Sequence, residues 1–90
     1  LGAFIEQTLG PVIEWDAERG TDLIVTLLGF VEANASPPTR TARNLGLHTN
    51  TVLQRLERIT TLLGDSWREA EPPLFRISIA ARLHQLAGVV

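Results

Sequence analysis

Glycine and proline divide this chain into short segments, and between them the apolar residues recur at helical spacing. The breakers are Gly10-Pro11, Gly20, the segment 34–38, Gly46, the segment 64–66 and Pro72-Pro73. No stretch shows the sustained two-residue alternation that is typical of a half-buried strand. With 90 residues, of which 44% are hydrophobic, the chain has room for one small domain. We therefore predict an all-α fold, a small bundle of five or six helices.

The breakers and the capping residues also set the expected helix boundaries. Pro11 suits the first turn of a helix, and Thr21 and Thr49 suit the cap that precedes one. The expected helices are 2–9, 11–19, 21 to about 33, 39–45, about 50–63, and Pro72 or Pro73 to about Ala87. The expected core residues are Leu23, Ile24, Leu27, Leu28, Phe30 and Val31, then Val52, Leu56, Ile59 and Leu63, and in the last helix Leu74 or Phe75 with Ile77, Ile79, Leu83 and Leu86.

Charge is distributed unevenly along the chain, although the net charge is only -2. Residues 1–38 hold six of the acidic residues and a single arginine, whereas residues 39–60 hold four arginines and one glutamate. All eight basic residues are arginine, which is the better donor to phosphate and guanine. The acidic balance argues against a uniformly basic nucleic-acid binder, so any such function is expected in the middle third.

Residues 38–57 have the pattern of a helix-turn-helix, in which two helices cross at ~90–120° through a short turn. Ala42 is small, as the close crossing of the second helix requires. Gly46 stands where the turn needs a positive φ, which glycine adopts at little cost. The apolar positions around the turn are filled by Leu45, Leu47, Val52 and Leu56. The predicted all-α bundle therefore contains a helix-turn-helix.

The second helix of this motif, about 49–63, is the predicted recognition helix. If Val52, Leu56 and Ile59 face the core, the opposite face carries the outward residues, namely Thr49, Asn50, Leu53, Gln54 and Glu57. The N-terminal end of a recognition helix contacts bases in the major groove. The predicted base contacts are Thr49, Asn50, Leu53 and Gln54, because amides pair with adenine and methyl groups contact thymine.

The predicted phosphate contacts surround this helix. They are Thr39, Arg40, Arg43, His48, Thr51, Arg55 and Arg58. Other roles stay open at this point. Arg40, Arg43 and Arg58 suit ordinary solvated charges, Arg55 suits an ion pair with an acid of the scaffold helix, and His48 suits a cap of the turn.

The sequence favours neither an enzyme nor a metalloprotein. It contains no Ser-His-Asp arrangement, no glycine-rich phosphate loop and no His-Glu-x-x-His motif, so no catalytic residue and no cofactor are expected. The chain lacks cysteine and its two histidines, His48 and His84, are far apart, so no zinc site is expected. Glu14, Asp16, Glu18 and Asp22 lack the spacing of an EF-hand and are interpreted as an acidic face that is solvated or contacts another domain.

Several segments together resemble the C-terminal helix-turn-helix domain of the PucR/CdaR group of bacterial transcriptional regulators. The matching segments are 9–16, 23–32, 48–52, 55–59, 62–64 and the closing helix 75–86. The most specific is His-x-Asn-Thr-Val-x-x-Arg-Leu at 48–56, in which His48, Asn50, Thr51 and Arg55 are the signature residues. The family commonly has arginine at the position of Thr49 and often Arg-Tyr where Leu53-Gln54 stand, so this recognition helix is less basic.

The resemblance implies an all-helical DNA-binding domain at the end of a longer chain. We expect residues 1–20 to form a connector from an upstream sensory domain and residues 21–90 to form the DNA-binding domain. The expected partner is double-stranded DNA, bound by a homodimer in the full-length protein. No apolar run has the length of a membrane span, so we expect a cytoplasmic bacterial protein with no membrane contact.

A protein-interaction or dimerisation module on the same helix-turn-helix frame is the alternative interpretation. The net charge, the lack of charge on the four predicted base contacts and the apolar Leu53 among them favour it. Salt dependence separates the two functions, because arginine–phosphate contacts weaken steeply with salt and a contact through leucine does not.

Overall fold

The computed structural model describes residues 2–35, 37–69 and 73–89. Within these ranges the chain forms five α-helices, one 3-10 helix and no strand. The helices are α1 (Gly2–Arg19), α2 (Leu23–Glu32), α3 (Pro38–Leu45), α4 (Thr49–Leu63), the 3-10 helix (Asp65–Arg68) and α5 (Phe75–Val89). The predicted all-α bundle is confirmed. In the part of the chain described here, no helix is long and apolar enough to cross a membrane.

The first helix differs from the sequence prediction. Two short helices, 2–9 and 11–19, are expected, but α1 runs without a break from Gly2 to Arg19 and has Pro11 inside it. Proline in a helix interior removes one backbone hydrogen bond. Packing compensates for this loss, because Leu9 and Val12 on either side of Pro11 are fully buried against the other helices. Although α1 lies within the predicted connector, it shares one core with α2–α5.

The start of α2 is capped by a residue of α1. Thr21 is the expected cap, but the residue that precedes α2 is Asp22, and its side chain makes no capping bond. Instead, the two carboxylate oxygens of Asp16 accept from the backbone N–H groups of Leu23 and Ile24, each at 2.9 Å. The Thr21 hydroxyl donates to the same carboxylate. Asp16 is therefore a structural link between α1 and α2, which corrects its interpretation as part of a solvated acidic face.

The core is built around α2 and the inner face of α4. The predicted core residues Leu23, Leu27, Phe30 and Val31 of α2 are buried, as are Val52, Leu56 and Ile59 of α4. Trp67 of the 3-10 helix, which the sequence analysis did not place in the core, is 2% exposed. Its ring lies 5.8 Å from that of Phe30, and its Nε1 donates to the Thr60 hydroxyl at 2.9 Å.

The inner face of α5 is also different from the prediction. Ile77 is buried as expected, but Ala80 and Ala81 are the residues with no exposed surface. Of the two alternatives Leu74 and Phe75, Leu74 packs against the core and Phe75 is exposed. The predicted core residues Ile79 and Leu86 are exposed as well. Because α5 is apolar around most of its circumference, hydrophobic spacing does not identify its inner face. The small alanines allow a closer approach to α1 and α2, and this contact decides the orientation.

Candidate nucleic-acid interface

Helices α3 and α4 form the predicted helix-turn-helix. Gly46 has φ 69°, the positive value expected for the turn, and the N–H of Leu47 reaches back to the carbonyl of Ala42 at 2.9 Å. Ala42 is buried, in agreement with its predicted place at the helix crossing. On the other side of α3, the Leu45 side chain lies so close to Gly29 of α2 that a Cβ there would meet it at 3.0 Å. The turn and this close approach fix α3 against both of its neighbours.

His48 caps the N-terminus of α4. The predicted cap is Thr49, but Thr49 is the first helical residue, and the Nδ1 of His48 accepts from the Asn50 N–H at 3.1 Å. Phosphate contact and capping are the two roles considered for His48, and the structure shows the capping bond. An accepting Nδ1 carries no proton, so the proton of the neutral ring is on Nε2, which is free to donate.

The outward face of α4 presents the residues expected to read bases. Val52 and Leu56 are fully buried on the inner face. On the opposite side, Asn50, Leu53 and Gln54 are exposed, and Thr49 is half-buried. The Leu53 side chain is 46% exposed, which is unusual for a leucine in a helix that packs well on its other face. The structure therefore brings all four predicted base contacts together on the first two turns of α4.

The exposed face of α3 carries the first group of predicted phosphate contacts. Thr39, Arg40 and Arg43 are exposed, while Thr41 and Ala42 of the same helix are buried. Helical spacing places the three exposed residues on one side. Among the described residues, none of their three side chains takes part in an ion pair or hydrogen bond. Two guanidinium groups are thus presented to solvent on the helix that packs against α4.

The two arginines of α4 are held by other parts of the protein. The Nη1 of Arg55 donates to the hydroxyl of Thr26 in α2 at 3.0 Å, so its scaffold-helix partner is a hydroxyl instead of an acid. The guanidinium of Arg58 lies over the ring of Trp15 in α1, 4.5 Å from its centre, and that of Arg19 lies 3.5 Å from the same ring. Arg55 is half-buried and Arg58 is exposed. Neither contact has a local sequence signal, because each joins α4 to a distant helix.

Glu57 places one negative charge on the outward face of α4. It is exposed and lies one turn beyond Leu53, in a recess that it shares with Gln54, Arg58 and Thr61. A carboxylate there repels phosphate, and its oxygens accept from the amino group of cytosine.

Elsewhere in the described ranges, no three His, Asp or Glu side chains are grouped so that they could hold a metal ion.

Comparison with known proteins agrees with this geometry. No curated protein and no solved structure shows significant similarity to the chain. Residues 23–83, which span α2, the helix-turn-helix and most of α5, match the family described as the PucR C-terminal helix-turn-helix domain. This match covers more than half of the 90 residues. The chain therefore belongs to the PucR C-terminal helix-turn-helix domain family, whose members are regulatory DNA-binding domains.

Proposed function

We propose that this chain is the sequence-specific DNA-binding domain of a bacterial transcriptional regulator, with α4 as its recognition helix in the major groove. The observation that carries this proposal is the exposed N-terminal half of α4. Asn50, Leu53 and Gln54 project from the face opposite the core, and α3 presents the two exposed guanidinium groups of Arg40 and Arg43 next to it. Polar groups for base edges beside cations for phosphates are what a major-groove reader needs.

Each predicted contact takes a role that follows from its position. Thr49, Asn50, Leu53 and Gln54 face the bases. The proposed phosphate contacts are Thr39, Arg40, Arg43, His48 through its Nε2–H, Thr51, and Arg58 through the edges of its stacked guanidinium. Arg55 orients α4 against α2 through Thr26 instead of contacting a phosphate.

In the full-length protein we propose a cytoplasmic homodimer that is controlled by an upstream sensory domain. Two-fold dimers of helix-turn-helix domains read half-sites ~34 Å apart, which is one turn of the duplex. The chain measures 33 × 29 × 24 Å, so two copies side by side have a suitable size for adjacent turns.

Fluorescence anisotropy with a mixed pool of labelled duplexes, at low and moderate salt, tests the proposal. The chain should bind, and its affinity should fall with salt at a log–log slope of about -0.9 for each phosphate contact. Arg43→Ala should weaken binding to every duplex and reduce the slope by about one such contact. Asn50→Ala should mainly reduce the preference among duplexes. Arg82→Ala and Gln85→Ala on the exposed side of α5 are the matched controls, and both should bind like the parent.

If the chain does not bind at low salt, the assay is repeated with a forced dimer, in which two copies are joined by a fused coiled coil. Binding by this forced dimer, with the same effects of the Arg43 and Asn50 substitutions, supports the proposal. If the forced dimer also leaves every duplex free, the DNA-binding function is wrong. The α3–α4 frame with its exposed Leu53 then serves the alternative function, a protein contact that is insensitive to salt.

A further inference from the structure

We infer that the base pairs beneath the first two turns of α4 are A·T pairs, and that Leu53 is a specificity-determining residue through contact with a thymine methyl group. This inference rests on the proposed function and names the DNA sequence class that the proposed site would select. It follows from which side-chain hydrogen-bond donors lie exposed at the N-terminal end of α4 and which ones are engaged by other helices.

The side chains that usually donate to guanine do not project from the N-terminal end of α4. Arginine and lysine, bidentate to guanine O6 and N7, are the commonest specific contacts in the major groove. The chain has no lysine, and α4 has only the arginines at 55 and 58. Arg55 is directed to Thr26 of α2, and Arg58 lies over Trp15 of α1. Arg58 also follows Asn50 by eight residues, a distance of about 12 Å along the helix axis.

The side chains that can pair with adenine are exposed at the N-terminal end of α4. Asn50 and Gln54 are exposed and four residues apart, so their amides project from the same face on successive turns. Each amide offers one donor and one acceptor, which match N7 and the N6 amino group of adenine. The hydrogen bond from the Asn50 N–H to His48 Nδ1 holds the first turn in helical form. The amide of Asn50 is thus presented on a fixed backbone.

Leu53 supplies the complementary apolar contact. It lies between the two amides in sequence, and it is 46% exposed although it is apolar. In the major groove the only apolar group on a base edge is the thymine C5 methyl. Burying leucine against that methyl group removes apolar surface of both from water. An A·T pair therefore satisfies the amides and the leucine together, whereas a G·C pair has no methyl group.

Selection from a random duplex library by the 90-residue chain at low salt, followed by sequencing, gives the first readout. Enrichment of half-sites rich in A·T pairs is expected. In the enriched duplex, each thymine is then replaced in turn by deoxyuridine, which lacks only the methyl group. At one or two positions this should weaken the parent about fourfold, the effect expected for one buried methyl group. Leu53→Ala should bind the thymine and uracil duplexes equally.

Val25→Ala is the matched control variant, because Val25 is an apolar residue of α2 that is 52% exposed and lies outside α4. Val25→Ala should lose as much affinity as the parent when thymine is replaced by deoxyuridine. Enrichment of G·C-rich half-sites, or an effect of uracil that persists in Leu53→Ala, would overturn the inference while leaving DNA binding intact. Enrichment of C·G pairs that is lost in Glu57→Gln would overturn it in favour of Glu57 as the reader. No enrichment by the chain or by the forced dimer, with no salt-dependent binding of either, would overturn the proposed function as well.

Discussion

The Nη1 of Arg55 in the recognition helix donates to the hydroxyl of Thr26, a fully buried residue of α2, at 3.0 Å. The same hydroxyl donates to the carbonyl of Asp22 at 3.0 Å, so it both donates and accepts a hydrogen bond. This chain of hydrogen bonds joins residues that are 29 positions apart and sets α4 against the scaffold helix. A guanidinium of the signature segment therefore supports the architecture of the interface from within.

Two fully buried threonines should respond in opposite ways to replacement by valine. Thr26→Val leaves the Nη1 of Arg55 without its acceptor, and we expect the free energy of unfolding to fall by about 1 kcal/mol. The Thr41 hydroxyl is buried without a hydrogen-bond partner among the described residues, so Thr41→Val should raise it by about 1 kcal/mol. Urea denaturation followed by tryptophan fluorescence measures both. Equal losses in the two variants would contradict the assigned bonds.

Asp16→Asn should destabilise the chain although it preserves the shape of the side chain. The carboxylate accepts from two N–H groups at the start of α2, and an amide has only one oxygen to offer them. We expect a loss of about 1 kcal/mol in the free energy of unfolding, as for the removal of a helix cap. Glu18→Gln is the control, since Glu18 is exposed and pairs with its sequence neighbour Arg19 at 3.4 Å. If the two variants lose the same stability, Asp16 does not cap α2.

Gly46→Ala should lower the melting temperature through backbone strain in the turn. At φ 69° an alanine Cβ costs about 1 kcal/mol, although no atom lies within 4 Å of it. For a domain of this size that corresponds to a decrease of about 4–8 °C in thermal unfolding followed by circular dichroism. Gly88→Ala in α5 introduces a Cβ into equally open space at ordinary helical backbone angles. It should leave the melting temperature unchanged or raise it, and a decrease like that of Gly46→Ala would exclude strain as the cause.

Glu57→Gln should strengthen DNA binding without changing sequence preference in the enriched A·T half-site. The substitution removes a negative charge from the face that we propose meets the duplex, and the gain should be about two- to fivefold at low salt. The gain should shrink as salt is added, because exposed charges are screened. Glu6→Gln in α1 changes the same charge on a residue outside this face and should have a smaller effect in the same anisotropy assay. Equal gains in both variants would mean that only net charge matters.

The α3–α4 motif could be predicted from sequence because its signals are local. Gly46 marks the turn, Ala42 marks the helix crossing, and the spacing of Val52, Leu56 and Ile59 gives the inner face of α4. Once that inner face is known, the position of Asn50 and Gln54 on the opposite side follows from the helical period alone. The exposed face of α3 follows in the same way, and the structure agrees with both.

Other predictions failed where the deciding interaction is between distant segments. Pro11 suggested a helix boundary, but packing of Leu9 and Val12 outweighs one lost hydrogen bond. The cap of α2 is Asp16, which lies several residues before α2 and belongs to α1. The sequence offers Leu74 or Phe75 for the core and gives no sign of Trp67 there, but Trp67 is buried, Leu74 packs against the core and Phe75 is exposed.

The all-α class, the helix-turn-helix and the residues on the outward face of α4 follow from the sequence alone, because helical periodicity and a glycine turn are properties of neighbouring residues. What the arginines of α4 contact depends instead on how the helices pack. A guanidinium on a long flexible side chain reaches whichever acceptor or aromatic ring the packed helices bring near it. Here these are Thr26 and Trp15, and neither partner can be identified from the spacing along the chain.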